Sequence, residues 1–309
     1  MILCCGEALI DMIPVEAAGG KTAFVPHPGG AIFNTAIALA RLGVETGLLS
    51  GVSHDAFGAM LAGTLEDNGV STAHLIRSER LTTLAMVHLK DSSASYAFYD
   101  ENSAGRMVTP DDLPSLPDTV DALYFGGISL VAEPAAEAYS ALLDRAYRNR
   151  VVMIDPNIRT SFIQDVSAYR NRLDRMIRQS DIIKVSDEDL EWLSPDKGSL
   201  QQKAKAYLEK GPSVVIVTQG ADGATAYFGA NSMTVPALPT KVVDTVGAGD
   251  TFNAGVLCGL ADRGCLSKRA LATISGSSMA HALTLGAKVS AITVSRAGAN
   301  PPWANELGR

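Results

Sequence analysis

The 309-residue sequence lacks any apolar run approaching the ~18 residues that span a bilayer, so a membrane protein is not expected. Its opening residues, Met1-Ile2-Leu3-Cys4-Cys5-Gly6-Glu7, lack the basic stretch of a secretory leader and read as a first buried strand. Cysteine is scarce. Cys4, Cys5, Cys258 and Cys265 show no C-x-x-C spacing, which argues against a metal site or a redox pair. Buried thiols in a reducing cytoplasm are the expectation. The five histidines (His27, His54, His74, His88, His281) have no ligand spacing either. Positive charge is in deficit: 33 acids face 26 bases, a net charge of −7, which disfavours a uniformly basic nucleic-acid binder. No G-x-x-x-x-G-K-[ST] occurs, and no G-x-G-x-x-G follows the first strand, so P-loop and dinucleotide-binding architectures are excluded.

What is present is ordinary globular material, 47% hydrophobic and 19% charged. Short apolar, β-branched runs at Ala122–Phe125, Val151–Ile154, Ile182–Val185 and Val214–Val217 predict buried strands. Helical patterns near Ala135–Asn149, Ser167–Arg178 and Leu200–Lys210 lie between them. That alternation predicts an α/β fold, a mainly parallel sheet covered on both faces. The C-terminal third reads as helix from Ala248 to Ala282 and then as a strand at Ser290–Ser295. Thr22–Pro28 and Leu81–Asp100 break the rhythm. Their period-2 alternation suits strands with one wet face, and Asp91–Ser93 is a hairpin-turn signal, so these stretches predict a small β-flap. No linker or repeat marks a second domain.

The strongest local signal is Asp244-Thr245-Val246-Gly247-Ala248-Gly249-Asp250-Thr251-Phe252. A strand-like approach (Val242, Val243) enters a Gly-rich turn, and Phe252, Val256, Leu257 and Leu260 then offer one buried helix face. Free amides at a helix start make an anion site. An ionised Asp250 beside them could accept a proton from a hydroxyl while the amides hold a phosphoryl group, which is what phosphoryl transfer to an alcohol needs. Taken alone, the turn equally suits a helix-capping acid.

This run resembles the C-terminal signature of the PfkB, or ribokinase-like, sugar kinases. An earlier Gly29-Gly30-Ala31-Ile32-Phe33-Asn34-Thr35-Ala36, on a helix ending at Leu42-Gly43, resembles the family's other signature. The resemblance extends from Gly6 to Trp303. Gly6-Glu7-Ala8-Leu9-Ile10-Asp11, Asp155-Pro156-Asn157-Ile158-Arg159 and Lys184-Val185-Ser186-Asp187-Glu188 are similar to the bacterial and plant fructokinase branch. It implies a three-layer α/β/α sandwich of one domain over residues 1–309, with a β-sheet lid from about 12–28 and 81–105.

It also implies ATP-dependent phosphorylation of a sugar, fructose first, under a closing flap, in a soluble cytoplasmic enzyme. Asp250 would be the base, with the amides at Gly247, Ala248, Gly249 and Asp250 as anion hole. Asp11, Gly30 and Asn34 would hold the sugar, and Tyr99, Arg106 and Arg159 could face it. Packing is the plainer reading of Tyr99 and Arg106, and a surface Arg is nearly as good a reading of Arg159. Lys184, Ser186, Thr218, Gly220 and Gly223 would meet the nucleotide, whose adenine pocket would share the region from Ser278 to Gly286.

One departure stands out. Where many relatives carry N-x-x-E for magnesium, this chain has Ser186 and Asp189. Asp189 could still act through water. A potassium ion would take positions Asp244, Val246, Thr293, Arg296 and Gly298. Partners would be a small sugar and ATP, with neither nucleic acid nor membrane, and the flap could pair with a second copy. A 2-keto-3-deoxygluconate kinase, a ribokinase, or a catalytically silent sugar-binding regulator are the rival readings.

Overall fold

The computed structural model describes residues 1–90 and 93–309. In chain order the strands are β1 (Ile2–Cys5), β2 (Leu9–Ala17), β3 (Lys21–Gly29), β4 (Thr46–Leu49), β5 (Gly51–Ser53), β6 (Ile76–Ser78), β7 (Leu84–Lys90), β8 (Ser93–Tyr99), β9 (Ala122–Gly126), β10 (Val151–Asp155), β11 (Ile182–Ser186), β12 (Val214–Thr218), β13 (Ala224–Phe228) and β14 (Asn231–Val235). The helices are α1 (Ala31–Arg41), α2 (Ala56–Asp67), α3 (Ala135–Ala146), α4 (Val166–Gln179), α5 (Asp187–Leu193), α6 (Leu200–Leu208), α7 (Ala248–Asp262), α8 (Lys268–Ala272) and α9 (Gly276–Val294).

The main sheet runs β14-β13-β12-β11-β10-β9-β1-β4. Its pairs from β12 to β4 are parallel, and an antiparallel hairpin, β13–β14, closes one edge. Strand residues alternate between two buried clusters, as they must in a sheet covered on both faces. Ile2, Cys4, Tyr124, Met153 and Ile182 pack toward α1, α7 and α9. Leu3, Cys5, Leu123, Val152 and Ile183 pack toward α3, α4 and α6. All four cysteines are free and buried. Among the described residues no helix is long and apolar enough to cross a membrane.

From β1 the chain builds β4 on one side, then returns to add β9 to β12 on the other. The crevice outside the carboxyl ends of β1 and β9 is therefore the switch point where ligands bind in open α/β sheets. A second sheet, β3-β2-β7-β8, stands over this end as a lid. It begins at Leu9, so the apolar run that reaches Asp11 belongs to the lid strand β2. The hairpin turn expected at Asp91–Ser93 falls on Asp91 and Ser92, outside the described residues, and Ser93 already opens β8.

Two expectations are corrected. Ser290–Ser295 is not a strand: α9 continues to Val294. Its β-branched residues look strand-like locally, but Met279, Ala282, Gly286, Val289 and Thr293 are buried at helical spacing against α7. The two helices touch so closely that a Cβ on Gly255 would lie 2.6 Å from Gly286 Cα. Tertiary packing overrides propensity here. Val242 and Val243 form no strand either: they lie in an exposed loop tied to the end of α9, the Val243 amide donating to the Val294 carbonyl at 2.8 Å.

Candidate active site

A cavity of about 390 Å³ opens at the switch point. Its floor comes from strand ends: Glu7 after β1, Gly127 after β9, Asp155 closing β10, and Lys184 on β11. The start of α1 contributes Gly30 and Asn34, and the turn Thr245–Gly247 leads into Ala248, Gly249 and Asp250 of α7. The lid supplies Asp11, Tyr96 and Phe98.

Gly247 is the cap of α7, with φ at +76°, a conformation that glycine adopts without strain. A Cβ there would also lie 2.6 Å from Ala299 Cβ. The turn leaves amides pointing out of the helix start. Ala248 N–H closes on the Thr245 carbonyl at 3.2 Å, whereas those of Gly249 and Asp250 have no protein acceptor among the described residues. The anion cradle is thus narrower than the run of amides expected from sequence.

Asp250 is buried, and its carboxylate accepts a hydrogen bond from Asn34 Nδ2 at 2.9 Å. Thr35 Oγ1 donates to the Asp250 carbonyl at 3.1 Å, so α1 and α7 are locked together at the site. Burial pushes the Asp250 carboxyl up to about 7, the Asn34 bond and Lys184 opposing, Asp155 and Glu7 adding to the rise. Local sequence, an acid at a helix start, favours the ionised form; desolvation by segments distant in sequence outweighs it.

Asp11 lies on the lid, opposite His27 on β3 and Ala85 on β7. Its carboxylate has no protein donor among the described residues, so it is available to hydroxyl groups of a ligand. Burial raises it to about 6, so its strongest acceptor form is lost as pH falls through 6. Gly29 makes room for it: a Cβ there would sit 2.3 Å from Asp11 Oδ2. Since Gly29 has no left-handed φ, Gly29→Ala should fold normally and displace only the carboxylate. We expect affinity for a hydroxyl-bearing ligand to fall about tenfold in equilibrium titration, the effect of losing one ~1.4 kcal/mol interaction.

Two groups of the floor were not singled out as site residues from sequence. Glu7 is a buried acid whose two oxygens accept from Ala31 N and Ser129 N, each at 3.2 Å, tying the start of α1 to the β9 loop. Asp155 forms a buried ion pair with Lys184 Nζ at 3.0 Å and accepts from Asn253 Nδ2 at 2.7 Å. The signals were an acid at the end of each apolar strand, but which acids meet is decided by strand order. Asp155 and Lys184 are neighbours because β10 and β11 pair with Ile154 beside Ile183.

The remaining predicted residues separate. Arg159 is exposed at the cavity wall, its Nη1 donating to the Ile158 carbonyl at 3.1 Å. Tyr99 and Arg106 are not in this cavity; they line a neighbouring one, and Arg106 pairs with Asp100 at 3.0 Å. Strand period explains it: on β8, Tyr96 and Phe98 share the face that meets Asp11, and Tyr99 takes the other. Asp189 does not line the cavity. Its oxygens accept from Ile158 N (3.0 Å) and Ser186 N (3.2 Å), while Ser186 Oγ caps α5, so the Ser-x-x-Asp pair serves as a capping box. Thr218, which closes β12, and Gly220 and Gly223 just after it lie beyond the cavity, where Gln219 N donates to the Gly223 carbonyl at 2.8 Å. Of the Ser278–Gly286 stretch, Met279, Ala282, Leu283, Leu285 and Gly286 are buried. Of the positions considered for potassium, Asp244, Val246 and Gly298 are neighbours through the Asp244 side chain: Gly298 N donates to Asp244 Oδ2 at 2.9 Å, and Val246 N to Asp244 Oδ1 at 3.0 Å. Arg296 N donates to the Thr293 carbonyl at 3.0 Å.

Residues 1–306 match the pfkB family carbohydrate kinase. The sequence is 48% identical over 274 residues to a fructokinase of Rhizobium leguminosarum bv. trifolii, covering 89% of this chain and 84% of that one. The fold superposes with a TM-score of 0.89 on Xylella fastidiosa fructokinase with bound ATP, at 28% identity, over 99% of this chain and 97% of that one. It superposes with a TM-score of 0.83 on an engineered Vibrio cholerae fructokinase bound to fructose, ADP and potassium, at 25% identity, over 96% and 93% of the two chains.

Proposed function

The chain belongs to the pfkB family of carbohydrate kinases, and on that premise we propose that it is a fructokinase transferring the γ-phosphoryl group of ATP to O6 of D-fructose. The observation that carries the reading is the hydrogen bond from Asn34 on α1 to the buried Asp250 at the start of α7, beside the Gly249 and Asp250 amides and facing Asp11 on the lid. Asp11, Gly30 and Asn34 hold the sugar with its hydroxyl toward Asp250. Asp250 takes the hydroxyl proton as the oxygen attacks phosphorus, and the amides and Lys184 meet the charge on the transferring group. The nucleotide lies along the sheet edge toward Thr218, Gly220 and Gly223, two strands from Asp155.

Magnesium would enter with the nucleotide phosphates. Among the described residues no cluster of three acids, cysteines or histidines could cage a metal, and Asp189 has both oxygens on amides. That donor set suits a cation that keeps most of its water and is held chiefly by the nucleotide phosphates. When bound, it offsets phosphate charge. The loops around Asp244 and Gly298 would hold potassium through backbone carbonyls. Outward Val15, Phe24 and Val25 on the lid, each more than a third exposed, support pairing with a second copy, which sedimentation at varied concentration reads.

An ATP-consumption assay with fructose, ribose, mannose and 2-keto-3-deoxygluconate tests the reading. Fructose should give the highest kcat/KM. A higher value for another sugar reassigns the substrate, and no turnover with any would leave a silent sugar binder.

A further inference from the structure

A second and larger cavity, about 960 Å³, lies beside the first between the lid and the β9, β10 and α4 side of the body. It is at the upper end of the volumes usual for small-molecule sites, and it is separate from the residues assigned above to sugar, phosphate and nucleotide. The two cavities share Phe98, Ile128 and Phe162 as a party wall, and Phe98 and Phe162 meet edge to face with centroids 4.7 Å apart.

The lining decides the class of occupant. Four acids (Asp100, Glu101, Glu133, Asp165) face two arginines (Arg106, Arg172). Both arginines are already paired, Arg106 with Asp100 and Arg172 with Glu133. A phosphorylated or carboxylate ligand would therefore enter an unfavourable field with no uncommitted cation to receive it. Aromatic surface from Phe98, Tyr99 and Phe162 and the carboxylate of Glu101, which has no protein donor among the described residues, instead suit a molecule with apolar ring faces and hydroxyl edges. The wall also contains two buried polar atoms without protein partners, Tyr169 Oη and Arg172 Nε. Native interiors rarely leave such atoms unsatisfied.

We infer that this cavity seats a second, uncharged carbohydrate ring beside the acceptor sugar. The inference rests on the reading of the neighbouring cavity as a fructose seat. The ring could arrive as a second free monosaccharide or as the far ring of a longer neutral sugar; the recognition chemistry is the same.

Equilibrium dialysis without nucleotide, using radiolabelled D-fructose and, separately, sucrose, tests it. Ala168→Trp, at an exposed helical position lining the larger cavity, fills that cavity; Asp11→Ala disables the first seat. If free monosaccharide is the occupant, the wild type binds two equivalents of fructose, each single variant binds one, and the double variant binds none. If the ring belongs to a longer sugar, fructose binds once and sucrose loses at least tenfold in affinity in Ala168→Trp. One equivalent of fructose together with unchanged sucrose affinity in Ala168→Trp overturns the inference. So does a second equivalent of fructose that survives Ala168→Trp. Failure of the first seat is read separately, as a fructose count that Asp11→Ala does not lower.

Discussion

An Asp250→Asn variant is expected to keep its affinity for fructose and ATP while kcat falls about 10³–10⁴-fold, the upper range for removing a positioned general base. Geometry should survive, because the carboxamide oxygen introduced by that change can still accept the Asn34 bond that Asp250 accepts at 2.9 Å. The pH dependence follows from the burial that raises Asp250 to about 7. Below that value the free enzyme holds a protonated acid that cannot accept a proton. Wild-type kcat/KM should therefore level off above about 7, rise about tenfold per pH unit between 6 and 7, and fall more steeply below 6 where Asp11 is protonated too; the variant's residual rate should lose the inflection near 7.

Stability should move the other way. The folded carboxyl binds its proton more tightly than the unfolded one, whose value is 3.8. The native state then loses stability as pH rises from about 4 through 7, and above 7 the charged, buried form carries the full penalty. Asp250→Asn removes it. The variant should melt above the wild type at pH 8, with a margin that shrinks steadily toward pH 4, as scanning calorimetry would show. Equal melting at both pH values, with turnover near normal, would sink the proposed role of Asp250.

The second large effect concerns Lys184. Its ammonium and the Asp155 carboxylate are both almost fully buried, 7% and 2% exposed, at 3.0 Å. Lys184→Met leaves Asp155 charged with only Asn253 and the Asn157 amide for company. Breaking one side of such a pair costs about 3–5 kcal/mol, whereas neutralising both sides is often tolerated. The double variant Lys184→Met with Asp155→Asn should therefore recover most of the stability in urea unfolding. Activity should not recover. Lys184 Nζ would lie 3.4 Å from a Cβ on Gly249, so it is the cation beside the amide cradle. Losing one such group at a developing charge lowers kcat about 10²–10³-fold. A double variant that is both stable and active would show that Lys184 serves only to neutralise Asp155.

The contrast between these two residues shows where sequence reading stops. Asp250 stands in a turn whose chemistry is local: Gly247 must adopt positive φ, the helix begins at once, and its first amides face outward. The strand runs at Ala122, Val151, Ile182 and Val214 were equally legible, because a strand covered on both faces must be apolar throughout. Lys184 was visible as a polar residue in such a run, but its partner was not, since Asp155 is 29 residues away and meets it through strand order alone.

Tyr96 and Tyr99 differ by three positions on one strand. Sequence offered Tyr99 as a residue that could face the sugar and did not single out Tyr96, because the face of the lid that looks down is set by its register with β7 and, through it, with Asp11. The helix through Ser290–Val294 was hidden by β-branched residues that packing against α7 overrides.

By itself, then, the sequence determined the parallel α/β core, the glycine-capped helix start and the acid within it. Each follows from dihedral freedom or burial pattern over a few residues. Only the tertiary structure decided that Asp250 is desolvated to a value near neutrality, that Lys184 is tied to Asp155, and that a second cavity lies beside the first. Those properties depend on distances between segments far apart in the chain, and low dielectric and long-range pairing have no local signature.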